Sequence, residues 1–293
     1  MPKNMNICGT SVWDKFEKSD ISGYLRTGKD AGPILHLLHG NGFSSGSLFA
    51  MAEFMPSAWT LMASDLPGHG LTPVRNMKWP DWNQMADTLA QNVVSAASEP
   101  VVGIGHSMGG VITLLMAAKY PRLFRQIILL DPVLFPSHIL VGQRVVQKTG
   151  LWGKLPLVQK AKRRQSQWGS VDQMYASLKQ KSLYKEWHPI ALKSFCETGS
   201  VDHDGGVKLA CNPNWEANIF GSAPSGLWGA VQSLRVPTHI LIADHGFDFI
   251  PGSVKRARRI NPHISSQLFG GSHCFPMERP EKTAQAIMAV LNV

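Results

Sequence analysis

The chain has 293 residues, 44% of them hydrophobic, enough for one large packed domain and too many for a wholly disordered chain. No apolar run reaches the length of a membrane-crossing helix, and the four cysteines (Cys8, Cys196, Cys211, Cys274) are too scattered for a metal cage. The formal net charge of +9 is uneven: residues 1–134 balance at 10 basic and 10 acidic, whereas residues 135–232 carry 12 basic against 6 acidic.

Residues 1–20 read as a loose lead-in. Residues 1–8 hold a lysine with no apolar stretch behind it, so no signal peptide is expected and a reducing, cytoplasmic setting is the default. Alternation in Ile21-Ser22-Gly23-Tyr24-Leu25-Arg26 predicts a strand, turned by Gly28-Lys29-Asp30. The run Pro33-Ile34-Leu35-His36-Leu37-Leu38 predicts a strand buried on both faces. It ends in His39-Gly40-Asn41-Gly42, a turn able to present backbone N–H groups into a cleft. A helix is expected over 47–58 and a strand over 59–64, followed by the tight turn Asp65-Leu66-Pro67-Gly68-His69-Gly70. Asp81 reads as the cap of a helix running to residue 98.

Next comes an apolar strand, Pro100-Val101-Val102-Gly103-Ile104, that runs through Gly105-His106-Ser107-Met108-Gly109-Gly110 into a helix. Gly-x-Ser-x-Gly at such a junction has a physical cause. The sharp turn strains the serine backbone, and small residues two before and two after keep side chains out of its way. The hydroxyl then stands exposed at the carboxyl edge of the sheet, beside a helix N-terminus. A further buried strand, 126–130, is closed by Asp131-Pro132.

Strand–helix alternation then stops. Residues 135–232 read as helices and loops holding five of the nine tryptophans, and they predict a cap over the sheet edge. Those tryptophans either line an apolar pocket or glue the cap together. The basic cluster Lys160, Lys162, Arg163 and Arg164 is read as a solvated helix face in preference to an anionic-partner site, because no nucleic-acid motif accompanies it. Alternation resumes with a strand over 238–243, a basic helix over 252–260, a strand over 264–269 ending in Gly270-Gly271-Ser272-His273, and a closing helix over 280–291. The fold class expected is α/β: a mostly parallel central sheet with helices on both faces. Working residues gather at the carboxyl ends of such strands, where Asn41, Ser107, Asp248 and His273 all fall.

Four segments together resemble the α/β-hydrolase fold family: His39-Gly40-Asn41, residues 65–70, Gly105-His106-Ser107-Met108-Gly109-Gly110, and Gly270-Gly271-Ser272-His273 with Glu278-Arg279-Pro280 behind it. The likeness covers about residues 21–134 and 236–293; the core is taken as residues 1–134 and 236–293, with 135–235 as a helical lid that matches no named family. It implies a nucleophile at Ser107, a base at His273, and an oxyanion hole from the N–H groups of Asn41 and Met108, with the Asn41 side chain as a further donor. The acid departs from the family pattern of Gly-x-x-Asp. Asp248 is expected, since Pro251 lies three residues on, with Asp244 the alternative. Asp131 is a third candidate, read in preference as a turn cap before Pro132. The activity implied is hydrolysis of an ester or related acyl bond of a small to medium, partly apolar substrate, as in a capped carboxylesterase. Carbon–carbon bond hydrolysis on the same triad, as in meta-cleavage-product hydrolases, and a ligand-binding protein with little turnover are the alternatives. No cofactor, metal, nucleic acid or membrane span is expected.

Overall fold

The computed structural model describes residues 12–29, 32–75, 77–149 and 151–292. The readings of residues 1–11 and of Asp30 lie outside the described residues.

In chain order the core runs β1 (Asp14–Lys18), β2 (Ile21–Arg26), β3 (Ile34–Leu38), α1 (Phe49–Glu53), β4 (Thr60–Ser64), α2 (Trp82–Ala96), β5 (Val101–His106), α3 (Met108–Lys119) and β6 (Phe124–Leu130). Then follow α4 (Ser137–Lys148), α5 (Pro156–Lys162), β7 (Gln167–Trp168), α6 (Val171–Lys179), α7 (Pro189–Thr198), β8 (Ser200–His203), β9 (Gly206–Leu209), α8 (Pro213–Phe220) and α9 (Leu227–Ser233). The chain closes with β10 (Thr238–His245), α10 (Phe249–Ile260), β11 (Ile264–Ser272), α11 (Phe275–Glu278) and α12 (Pro280–Val290).

Among the described residues the main sheet has eight strands in the order β1-β2-β4-β3-β5-β6-β10-β11. Pairing is antiparallel at β1–β2 and β2–β4 and parallel from β4 across to β11. The central strands are apolar on both faces because each successive side chain enters an opposite layer. Leu35, Leu37, Val102, Ile104, Ile128 and Leu130 enter one layer, with Phe49 of α1 and Ile287 of α12. Leu38, Val101, Ile127 and Leu129 enter the other, with Leu89 of α2 and Ile112 of α3. This is the α/β fold expected.

Three local expectations are corrected. Residues 14–18, read as lead-in, form β1. Its charged sequence Asp-Lys-Phe-Glu-Lys suits an edge strand, where polar residues deter further pairing. The helix expected over 47–58 is only α1, preceded by a tighter turn over Ser45–Leu48. The stretch read as helices and loops also contains a three-stranded sheet, β7-β9-β8.

Residues 135–235 do not keep their apolar side chains to themselves. Met174, Leu178, Trp187, Leu192 and Phe195 join the same buried layer as Phe49 and Leu37. Among the described residues only a small cluster, Val158, Ala161 and Ala217, is separate. Phe195 is 1% exposed. Phe195→Ala is therefore expected to cost about 3–5 kcal/mol in one cooperative urea transition. A separate early transition for residues 135–235 would contradict this shared core.

Candidate active site

The turn from β5 to α3 explains its own sequence. Ser107 sits at φ 56° and ψ −117°, a conformation that L-residues seldom adopt. A Cβ at Gly105 would lie 2.4 Å from the Gly109 carbonyl oxygen. One at Gly109 would lie 2.4 Å from the His39 oxygen and 2.5 Å from the Leu38 oxygen. These neighbours are backbone atoms, so neither position can yield to a side chain.

Ser107 Oγ and His273 Nε2 are 2.8 Å apart. On the other side of the ring, His273 Nδ1 lies 2.6 Å from Asp131 Oδ2. The second Asp131 oxygen accepts from the Ala243 N–H at 3.0 Å. The carboxylate is 1% exposed, the serine 9%. The chain thus brings Ser107, His273 and Asp131 into one line of hydrogen bonds. It does not bring Asp248 or Asp244 into it, and the expectation for those residues is corrected. Asp244 and Asp248 are both exposed, and Asp248 stands at the start of α10. The reason is the length of β10. It stays paired with β11 as far as His245, so the turn comes late. Phe247 then takes the space beside the imidazole, its ring 4.8 Å from that of His273, edge to face. Asp131 ends the neighbouring strand β6 with φ 45°, which turns its carboxylate toward the ring. The missing Gly-x-x-Asp after β10 was the signal in the sequence, and Asp131 was its least favoured solution.

Two further contacts fix the histidine. His106 Nε2–H donates to the His273 carbonyl oxygen at 2.8 Å. Glu278 accepts from the Ser272 hydroxyl and, at 3.2 Å, from the Ser272 N–H, which locks the turn entering His273.

The loop after β3 approaches the serine: a Cβ at Gly40 would stand 3.2 Å from Ser107 Cβ. Met108 opens α3, so its N–H belongs to the unpaired first turn. The Asn41 side chain is engaged elsewhere, Nδ2 donating to the Glu216 carbonyl at 3.1 Å. One of the two N–H groups of that amide is thereby taken up. Glu216 also takes an ion pair from Arg164, Nη1 to Oε2 at 2.7 Å, and Arg164 Nη2 reaches the Tyr184 hydroxyl at 2.9 Å. Arg164 is thus removed from the solvated basic cluster. Next to it, Trp215 Nε1–H donates to the Pro67 oxygen at 2.9 Å.

The aromatic residues divide. Phe43, Tyr184, Trp187 and Phe195 pack together and are buried. Phe247, Phe249 and Phe135 form a stacked row, 5.6 Å between successive rings, that leads away from His273 and is only half-buried. Four of the five tryptophans of residues 135–235 tie the stretch down: Trp168 and Trp187 are in the core, and Trp215 and Trp228 donate to backbone oxygens.

Among the described residues no group of three or more His, Cys, Asp or Glu could hold a metal ion. Cys274, beside His273, is 3% exposed, and burial pushes its thiol up to about 12, which leaves it protonated and inert.

The architecture is that of an α/β-hydrolase. Residues 37–286 match the alpha/beta hydrolase family, and the chain belongs to that family. A bovine (Bos taurus) protein phosphatase methylesterase 1 is 36% identical over 127 residues, 36% of this chain and 32% of that protein. The matched stretch therefore spans about a third of that relative's length. Among solved structures, E-2-(acetamidomethylene)succinate hydrolase superimposes with a TM-score of 0.75 at 20% identity, covering 96% of this chain and 100% of that one. An esterase of Mycobacterium tuberculosis gives 0.74 at 18% identity, covering 96% and 92%.

Four histidines around the site are fully buried. Burial pushes His36 and His106 down to about 3, His69 to about 4, and His39 well below its ordinary range. Their folded values lie below the unfolded one, so their contribution holds above about pH 6.5 and is lost as pH falls, by about 1.4 kcal/mol per pH unit each. Asp65 runs the other way. Burial raises it to about 6, so its penalty is present above that pH and relieved below it, offsetting one histidine at most. Urea unfolding is expected to show stability falling by several kcal/mol between about pH 7 and about pH 5. A flat profile would refute neutral burial of these rings.

Proposed function

We propose that the chain is a serine hydrolase that cleaves an ester, or a related acyl bond, of a small to medium and partly apolar substrate. The observation that carries this reading is the line of hydrogen bonds Ser107–His273–Asp131 at the edge of a hydrolase sheet. His273 Nε2 takes the Ser107 proton as Oγ attacks the carbonyl carbon, giving a tetrahedral oxyanion. Asp131 holds the Nδ1–H tautomer and stabilises the imidazolium. The N–H groups of Met108 and Asn41 serve the oxyanion. Collapse expels the alcohol, which takes the proton from His273. Water, activated by the same ring, then releases the acid and frees Ser107.

Residues 135–235 act as the lid in this reading. The half-buried row Phe135, Phe249 and Phe247 supplies the apolar wall for the acyl or alcohol part. A methylesterase and an esterase among the similar proteins favour the ester over a carbon–carbon bond.

p-Nitrophenyl esters of rising acyl length are the first test. Ser107→Ala should abolish turnover and labelling by a fluorophosphonate. Asp131→Asn should lower kcat by about 10⁴-fold, whereas Asp248→Asn and Asp244→Asn should stay near the parent. If Asp248→Asn alone is inactive, Asp131 is not the acid. Absence of both labelling and hydrolysis of any ester, thioester or lactone would remove the hydrolase reading.

A further inference from the structure

Helix α4 buries little of its apolar surface. Its inward side puts Leu140 into the core, and beside it Gln143 and Gln147 donate to the Ser222 and Gly221 carbonyls at 3.4 and 2.8 Å. Its outward side carries valines: Val141 is 58% exposed and Val145, one turn on, is 55% exposed. Water gives no reason to leave those valines outside, since burying them would be favourable. The segments that follow continue the pattern, with Leu151 47% and Leu157 45% exposed. Scattered exposed aliphatics are ordinary on any protein. Four within seventeen residues, beginning with two valines one turn apart on the outward side of α4, are not.

The charge around them has one sign. Between Asp131 and Asp172 the sequence contains no acidic residue. Arg144, Lys154, Lys160, Lys162 and Arg163 are all exposed there. Arg164 is held by Glu216, so it is not part of this surface.

We propose that the outer face of α4 and α5, with the turn between them, docks on the surface of an anionic phospholipid bilayer. The aliphatic side chains enter the headgroup–acyl boundary and the cations face the lipid phosphates. Such a surface needs both features at once. A nucleic acid would use the cations but gains little from valine and leucine, because its single strands are held by aromatic stacking. The nearby aromatic ring, Trp152, is already occupied, with Lys162 Nζ 4.6 Å and the Trp79 ring 4.7 Å from its centre. At 12 residues α4 is too short to cross a bilayer, so the contact is with the surface alone.

The test is co-sedimentation of the whole chain with vesicles of phosphatidylcholine, alone or mixed with phosphatidylglycerol. Binding to the mixed vesicles should exceed binding to the neutral ones by about tenfold or more, and should weaken with salt. The pair Val141→Asp and Val145→Asp should reduce it by about tenfold. The pair Lys160→Glu and Arg163→Glu should do the same. All four positions are exposed, and an unchanged melting temperature will show that the variants fold. Charge reversal of Lys255 and Arg259 on α10, another exposed basic helix, should leave binding intact. Equal binding to both vesicle types, no binding, or equal loss from the α10 variant would overturn the proposal. So would a valine pair without effect, or retention on duplex DNA that competes with the vesicles, since either marks a general polyanion site.

Discussion

The backbone of Ser107 is the constraint from which the site is built. Its positive φ sets the hydroxyl above the sheet edge, and the backbone atoms packed around it leave no room for side chains at positions 105 and 109. Because β5 lies between β3 and β6, two other strand ends are obliged to finish beside it. From β3 comes the loop at Gly40; from β6 comes Asp131. His273 arrives from the far edge strand β11 and is held by His106, the residue immediately before the serine. Strand order, fixed by hydrophobic burial, thereby selects which polar groups meet.

How much of this could be read in the sequence depends on how local each cause is. Ser107 was legible because its strain imposes glycines within two residues on either side. His273 was legible because it closes a strand and is followed by the Glu278 that fixes its turn. The carboxylate that meets His273 was not, since the choice among Asp131, Asp244 and Asp248 depends on where β10 stops pairing and on what fills the gap beside the imidazole. Phe247 fills it, and no short pattern announces that. β1 was missed for the opposite reason: an edge strand lacks the apolar signature that reveals a buried one. The small sheet β7-β9-β8 was hidden because two to four residues per strand give periodicity nothing to act on.

Residues 135–235 are bound to the core through both apolar layers and through its loops. α6 and α7 contribute to one layer and α9 to the other, while α8 presses on the loops after β3 and β4. Glu216 takes the Asn41 amide, and Trp215 takes the Pro67 oxygen. The ion pair to Arg164 keeps Glu216 in place from behind. Removing a charge from such a pair, 16% and 9% exposed, strands the other in a poorly solvated place. The tryptophan-rich composition of this stretch reflects that attachment.

The contact of Asp131 with His273 also changes what the β10–α10 connection is free to become. In that connection His245 and Asp248 are exposed, and Phe247 packs edge to face on the histidine with Phe249 stacked behind it. With Asp131 anchored by the Ala243 amide, the His273 ring is held from β6 and not from this loop. The length of the loop and its aromatic residues can therefore vary while the hydrogen bonds to the imidazole stay intact, so that what holds the histidine and what borders it belong to different strands.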